Sequence, residues 1–359
     1  MKIAIILGTR PEIIKLAPVI KILESKKADF FVVHTGQHYT RQLDRVLFEQ
    51  LELPLPEYNL EIGSGSHAVA TGRMLIGIEE VLLKEKPEIV LVEGDTNSIL
   101  AGALAAVKLG VKVGHVEAGL RSYDRSMPEE INRVLTDHIS DYLFAPTSKA
   151  RDILLGEGID DANIYVTGNT IVDAVYRNVE LARKKVDILK TRDLKTKDYF
   201  LVTLHRQENV DNRNRFASIL EGLDKVSSTF SLPVFYPVHP RSAKMMTEFQ
   251  LDHGQVILAE PVDFLSFLQL ENNARLILTD SGGVQEEACI MQVPCVTLRD
   301  NTERPETVEV GANIVAGSTP GKILESARIM LDRLNNWKNP FGDGHAAERI
   351  IEILVEGLR

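Results

Sequence analysis

The sequence predicts an α/β protein made of two doubly wound halves, and three observations carry that expectation. Short, continuous apolar runs recur along the whole chain, with stretches of helical periodicity between them. Such runs mark strands buried on both faces, and parallel strands need a crossover helix between them. Near the middle the alternation breaks off in a basic, polar stretch and then restarts. The chain is 359 residues long, and single cores stop growing near ~250–300 residues, so two domains are expected.

The first strand is expected over residues 2–7. Pro11 suits the first turn of the helix that follows, where a missing N–H costs nothing. Ile13, Ile14, Ala17, Val19, Ile20 and Leu23 form the apolar stripe of that helix. Further strands are expected at 30–34, 89–93, 111–116, 141–145 and 164–167. From Arg183 to Asp198 the residues Lys184, Lys185, Lys190, Arg192, Lys195 and Lys197 read as a helix end and a linker. Strands then resume at 199–204, 234–238, 256–258, 276–279 and 295–298. A last helix, from about 344 to 357, follows Asn339-Pro340-Phe341-Gly342-Asp343-Gly344 and is placed to return across the domain boundary. The expected division is residues 1–170 with the terminal helix 344–359, and residues 171–343.

Composition narrows the function. Apolar residues make up 44% and charged residues 26%, as in an ordinary folded soluble protein. With 41 Lys and Arg against 51 Asp and Glu, the net charge is −10, which argues against a nucleic-acid partner. Cys289 and Cys295 suit neither a disulfide framework nor a zinc site and read as inert core residues in a reducing, cytoplasmic compartment. The apolar run at the N-terminus is too short for a signal peptide, and no run of about 18 apolar residues is present to span a membrane.

In open α/β sheets, ligands bind beyond the carboxyl ends of the strands. After the first strand come Arg10 and Lys15 at a helix start, a natural anion cradle. Asp95 ends another strand and suits either chemistry or capping of the next helix. Glu117 follows Val-Gly-His-Val in a glycine-containing loop, either facing the same edge or paired with Arg121. Glu129 and Glu130 open a helix, where the dipole favours acids. Together with Asp95 and Glu117 they suit proton transfer. In the second half, His205-Arg206 and His239 end two strands, offering titratable donors and a fixed cation. Ser281-Gly282-Gly283 joins a strand to a helix start, where exposed N–H groups can hold a diphosphate, and Glu287 one turn later can accept ribose hydroxyls. No Walker loop and no Gly-x-Gly-x-x-Gly is present. Gly63-Ser64-Gly65-Ser66 reads as a plain loop.

Taken in order, these segments identify a family. Gly8-Thr9-Arg10-Pro11-Glu12, Gly94-Asp95-Thr96, Gly114-His115-Val116-Glu117-Ala118-Gly119-Leu120-Arg121, Pro128-Glu129-Glu130-x-Asn132-Arg133 and Thr167-Gly168-Asn169-Thr170 lie in the first half. His205-Arg206-x-Glu208-Asn209, Tyr236-Pro237-Val238-His239, Asp280-Ser281-Gly282-Gly283-x-Gln285-Glu286-Glu287, Arg299-Asp300-x-Thr302-Glu303-Arg304-Pro305-Glu306 and the Asn339–Gly344 segment complete the set. The sequence resembles the non-hydrolysing UDP-N-acetylglucosamine 2-epimerases almost end to end.

The resemblance implies two Rossmann-like domains facing a cleft, in a glycosyltransferase B-like architecture, with the second domain binding UDP and the C-terminal helix returning to the first domain. It implies reversible conversion of UDP-N-acetylglucosamine to UDP-N-acetylmannosamine through elimination of UDP and 2-acetamidoglucal, with no metal and no nicotinamide cofactor. By position it assigns Asp95, Glu117, Glu129 and His205 to catalysis. Arg10, Lys15, Val262, Phe267, Ser281, Gly282, Gly283, Glu287 and Arg304 join Asp95, Glu117 and His205 as substrate contacts. Val262 stands where some relatives carry Gln, so only a backbone contact survives there. Arg10, Lys15, Arg206 and Arg304 are expected to make a local positive pocket in this acidic chain. Gln37, His38, Glu130, Arg206 and His239 match the site of a second UDP-N-acetylglucosamine that acts as activator. A homodimer through the first domain is also implied. The alternatives are a hydrolysing 2-epimerase, which releases N-acetylmannosamine and UDP, and a retaining glycosyltransferase.

Overall fold

The computed structural model describes residues 1–36 and 41–357. The chain divides into two compact units, Met1–Arg177 with Phe341–Arg359, and Asn178–Pro340. The first unit holds a parallel sheet of β1 (Lys2–Leu7), β2 (Asp29–His34), β3 (Tyr58–Asn59), β4 (Ile89–Glu93), β5 (Lys112–Val116), β6 (Tyr142–Ala145) and β7 (Ile164–Val166), in the order β3-β2-β1-β4-β5-β6-β7. The second holds β8 (Phe200–Thr203), β9 (Val234–Pro237), β10 (Ile257–Ala259), β11 (Leu276–Thr279), β12 (Cys295–Thr297) and β13 (Asn313–Val315), in the order β10-β9-β8-β11-β12-β13.

Both sheets are wound in two directions. In the first, β1 pairs with β2 on one side, Ile3 opposite Phe30, and with β4 on the other, Ile3 opposite Ile89. In the second, β8 lies between β9 and β11, with Phe200 opposite both Val234 and Leu276. The winding therefore reverses between β1 and β4, and again between β8 and β11. Crossover connections leave in opposite directions at these points, which opens a crevice at the strands' carboxyl ends.

The apolar runs became the central strands as expected, because burial on both faces requires them. Ile3–Leu7 and Ile89–Val92 are wholly buried. β3 and β13 were not foreseen. They are two and three residues long, sit at sheet edges and contain no continuous apolar run. β3 also means that the Gly63–Ser66 loop has a strand shortly before it, although the segment itself is a loop leading into the helix His67–Glu85.

The stretch 183–198 is more than a linker. The helix Thr170–Lys185 is followed by a short helix, Ile188–Thr191, and Ile188 joins the core of the second unit while its N–H donates to Gln269 Oε1 at 2.9 Å. The last helix, Ala346–Gly357, belongs to the first unit. The N–H groups of Ala346 and Ala347 donate to Asp173 at 3.2 and 2.9 Å, and Ile350, Ile351 and Leu354 are buried. Among the described residues no helix is long and apolar enough to cross a membrane, and no group of three His, Cys, Asp or Glu side chains is placed to hold a metal ion. Both cysteines are buried and unbridged, with burial pushing the Cys289 thiol up to about 12.

Candidate active site

At the switch point of the first unit, the turn after β1 packs tightly. A Cβ on Gly8 would stand 2.1 Å from Thr35 Oγ1, so only glycine fits. The helix Arg10–Ser25 begins here with Arg10 exposed. Glu12 is buried in its first turn and accepts from the N–H of Gly8 at 2.5 Å, the N–H of Thr9 at 3.0 Å and the Thr96 hydroxyl at 2.6 Å. It thus joins the β1 turn to the turn after β4. Burial pushes its carboxyl up to about 7, against the pull of those donors.

Lys15 lies one turn on, between two carboxyl groups. Its Nζ stands 3.1 Å from Glu93 Oε1 and is paired with Glu117. Glu93 is the last residue of β4 and is buried. Its carboxyl is held well above the usual range, first by burial and then by the charges of Glu117 and Glu12, which Lys15 only partly offsets. Glu117 directly follows β5 with φ +71°. That left-handed conformation costs a non-glycine residue roughly 1–2 kcal/mol, and Asn169 Nδ2 donates to the carboxylate at 3.3 Å. The alternative, a pairing with Arg121, is not made. Arg121 instead meets Asp137 and Glu157, each at 2.6 Å.

Asp95 is not the cap of the following helix, because Thr96 occupies that position. Its carboxylate pairs with Arg133, while Asn132 Nδ2 donates to the Asp95 carbonyl at 2.9 Å. Both partners come from the helix Pro128–Ile139. Glu129 is exposed in that helix's first turn. Glu130 is buried and accepts from the Ser122 N–H, the Ser122 hydroxyl and the Tyr123 N–H, all at 2.9 Å, and from Arg133 at 3.1 Å. Gln37 and His38 lie outside the described residues.

At the switch point of the second unit stands Asp280, fully buried after β11. It accepts from the backbone N–H of His205 at 3.1 Å and of Arg206 at 3.0 Å, and from Asn209 Nδ2 at 3.1 Å. The His205 ring Nδ1 is 3.2 Å away. Burial works against its charge, but these donors hold the carboxyl below the usual range. Asp280 therefore orients the His205 ring and leaves Nε2 facing outward from the pair. The His239 ring lies 5.8 Å from that of His205, and its Nδ1 accepts from the Arg241 N–H at 3.2 Å. Burial, then His205, then Arg241 lower its pKa.

Ser281 precedes the helix Gly282–Ile290 without capping it through its side chain. Neither glycine has a left-handed φ, and no atom lies within 4 Å of where a Gly283 Cβ would stand. The glycines thus keep the helix start open to an approaching group, and the turn itself does not demand them. Glu287 is pushed up to about 7 by burial, and the neighbouring Glu271 carboxyl is held well above the usual range, first by burial and then by Glu287. Phe267 and Val262 are partly buried against the core that contains Tyr199 and Leu201.

The expected positive pocket is modified. Lys15 faces carboxyl groups, Arg206 lies 3.4 Å from Glu303, and Arg304 pairs with Glu286 at 2.6 Å. Sequence reasoning did not single out Glu12, Glu93, Asn132, Arg133, Glu271 or Asp280. All but Glu93 and Glu271 stood inside quoted motifs, so the available signal was their place beside residues that were chosen.

Fold and sites together define an α/β enzyme with a carboxyl cluster suited to proton transfer in one unit and an open helix start suited to an anion in the other. The chain belongs to the UDP-N-acetylglucosamine 2-epimerase family, whose model matches residues 21–355. It is 56% identical to the UDP-N-acetylglucosamine 2-epimerase of Methanocaldococcus jannaschii, over 99% of this chain and 100% of that one. A crystal structure of the M. jannaschii UDP-GlcNAc 2-epimerase in complex with UDP-GlcNAc and UDP is similar, with TM-score 0.87 and 57% identity over 99% of this chain and 100% of that chain. The UDP-2,3-diacetamido-2,3-dideoxy-D-glucuronate 2-epimerase of Pseudomonas aeruginosa is 44% identical over 99% of this chain and 100% of its own length.

Proposed function

We propose that the protein interconverts UDP-N-acetylglucosamine and UDP-N-acetylmannosamine at C2 without net hydrolysis. The observation that carries this is Lys15 holding the carboxyl groups of Glu93 and Glu117 at the ends of β4 and β5, with Asp95 on the neighbouring turn. The C2 proton of a sugar is weakly acidic, so its loss needs a close base and a good leaving group. A carboxylate of this cluster takes the C2 proton, the C1–O bond to UDP breaks, and a C1=C2 double bond forms in 2-acetamidoglucal. UDP then adds back to C1 while a proton is delivered to C2 on the opposite face. Glu93, whose carboxyl burial holds well above the usual range, supports a role as proton reservoir. Asp95, Glu117 and Glu129 serve as acid and base on the two faces.

The second unit holds the nucleotide. The N–H groups of Ser281, Gly282 and Gly283, with His205, Arg304 and Arg10, offset the charge on departing UDP. Glu287 takes the ribose hydroxyls, and Phe267 and the Val262 backbone meet the uracil. No metal or organic cofactor enters this scheme. The named relatives support the C2 reaction more broadly than they support one sugar, since both are 2-epimerases of UDP-sugars with an acetamido group at C2. Incubation with UDP-N-acetylglucosamine alone tests the proposal. A second UDP-N-acetylhexosamine is the expected product, and free N-acetylmannosamine with UDP would establish the hydrolysing reaction instead.

UDP-N-acetylglucosamine also acts as activator in this proposal, through Arg206, His239 and Glu130 with Gln37 and His38. The adjacency of the His205 and His239 rings supports it, since a ligand on His239 would touch the surroundings of His205. The reverse reaction, started from pure UDP-N-acetylmannosamine, is then slow until UDP-N-acetylglucosamine is added. A lag-free reverse reaction would remove this part. The enzyme is proposed to work in the cytoplasm as a homodimer through the first unit. Exposed Ile131 and Leu135, one turn apart on the helix Pro128–Ile139, support such a contact. Light scattering showing a monomer would exclude it.

A further inference from the structure

His115 sits in β5, two residues before Glu117, and is 1% exposed. Both its ring nitrogens face acceptors. Nε2 lies 2.8 Å from the carbonyl oxygen of Gly94, and Nδ1 lies 2.7 Å from Asp137 Oδ1. A carbonyl oxygen only accepts, so Nε2 must carry a hydrogen. Asp137 is buried, and its other oxygen accepts from the Gly119 N–H at 3.2 Å and from Arg121 Nη1 at 2.6 Å. Those donors keep the carboxyl ionised, so Oδ1 accepts as well and Nδ1 also carries a hydrogen. A neutral imidazole has one N–H and cannot make both bonds.

We propose that His115 is held as an imidazolium and is the positioning residue for both Asp95 and Glu117. One nitrogen fixes the carbonyl of Gly94, the residue just before Asp95, whose turn has a φ of +88° at that glycine. The other fixes Asp137, which holds the backbone of Gly119, two residues after Glu117. One buried cation thus sets the spacing of two loops that rise from neighbouring strands. The inference rests on the reading that Asp95 and Glu117 act on the substrate.

The surrounding charges agree with this state. Asp137 faces the ring from the helix Pro128–Ile139, and Glu117 faces it from the end of β5. Arg121 shares Asp137 with it and is itself paired with Glu157, so two cations meet two close carboxylates. Burial lowers the pKa of the ring, but Asp137, the Gly94 carbonyl and Glu117 outweigh it, and the net direction is upward. The bridge therefore holds to a higher pH than an ordinary imidazole would allow, and above that the ring must release Gly94 or Asp137.

Two measurements test this. In protein labelled with 15N-histidine at pH 7.5, long-range correlation spectra should show one solvent-protected ring with both nitrogens protonated, and that signal should vanish in His115→Asn. A His115 ring with one bare nitrogen at that pH would overturn the proposal. In kinetics, Asn places its amide near Nδ1 and Gln places its amide near Nε2, so His115→Asn and His115→Gln each keep one tie at most. Both should lose roughly 10²-fold in kcat with KM nearly unchanged, as a misplacement of about 1 Å does, and both should lose the alkaline limb of the kcat profile. Variants with a lower Tm but wild-type kcat and pH profile would show a merely structural residue and overturn the positioning role. An imidazolium signal in a protein that does not interconvert the two nucleotide sugars would uphold the charge state and overturn the functional reading.

Discussion

The two units are wound alike and charged differently. Each has its functional residues at the strand pair where the winding reverses, β1 with β4 and β8 with β11. In the first unit that point gathers Glu93 and Glu117 around one ammonium, with Glu12 buried in the adjoining turn. In the second it buries one carboxylate, Asp280, and uses it to aim a histidine and anchor backbone. On the proposed function, the same topology serves proton transfer in one place and anion holding in the other. What differs is the residue type placed at equivalent strand ends, which is why fold alone assigns no chemistry.

This contrast predicts that damage to each unit is felt differently. The largest effect belongs to the first. Asp95→Asn and Glu117→Gln keep shape and remove a base, so kcat should fall roughly 10²–10⁴-fold. UDP affinity, measured by calorimetry, should stay near wild type. Wild-type turnover in both variants, or an equal loss of UDP binding, would erase the division between units.

A smaller and opposite effect is expected from Gly283→Val. No described atom lies within 4 Å of where the new Cβ would stand, so Tm should hold, while the open helix start is closed to a diphosphate. UDP binding should weaken about 10- to 100-fold, the worth of one or two hydrogen bonds to a charged group at ~1.5–3 kcal/mol each. Unchanged UDP affinity would place the diphosphate elsewhere.

The smallest effect concerns stability. Glu12 has a folded pKa of about 7, raised above its ordinary 4.5. Between those values the folded state binds more protons than the unfolded one, so its contribution is fully present below 4.5 and is lost as pH rises through about 7. Glu12→Gln cannot ionise, and its oxygen can still accept from Gly8 and Thr9. The Tm of the variant relative to wild type should therefore rise by a few degrees between pH 5 and pH 8. A difference in Tm that does not vary with pH would show that Glu12 is not the titrating group.

The sequence showed every strand that is buried on both faces, because such strands need an apolar run, and it hid two of the four edge strands, β3 and β13, which have none. It also showed which segments stand at strand ends, and so brought out Lys15, Asp95, Glu117, His205 and the Ser281–Gly283 turn. Their partners were not legible. Lys15 meets Glu93 across 78 residues, and Asp280 meets His205 across 75, only because β1 lies beside β4 and β8 beside β11. Strand order decides those meetings, and no local pattern encodes it. For the same reason the only counter-ion the sequence offered Glu117 was Arg121, four residues away, when its partner is Lys15, 102 residues away.

On the proposed function, the first unit's carboxyl cluster exchanges the C2 proton of a UDP-sugar. Running the epimerisation in deuterated water and reading C2 by NMR measures that exchange. Solvent deuterium is expected at C2 of the UDP-N-acetylmannosamine formed. Product that keeps its original C2 hydrogen would contradict it.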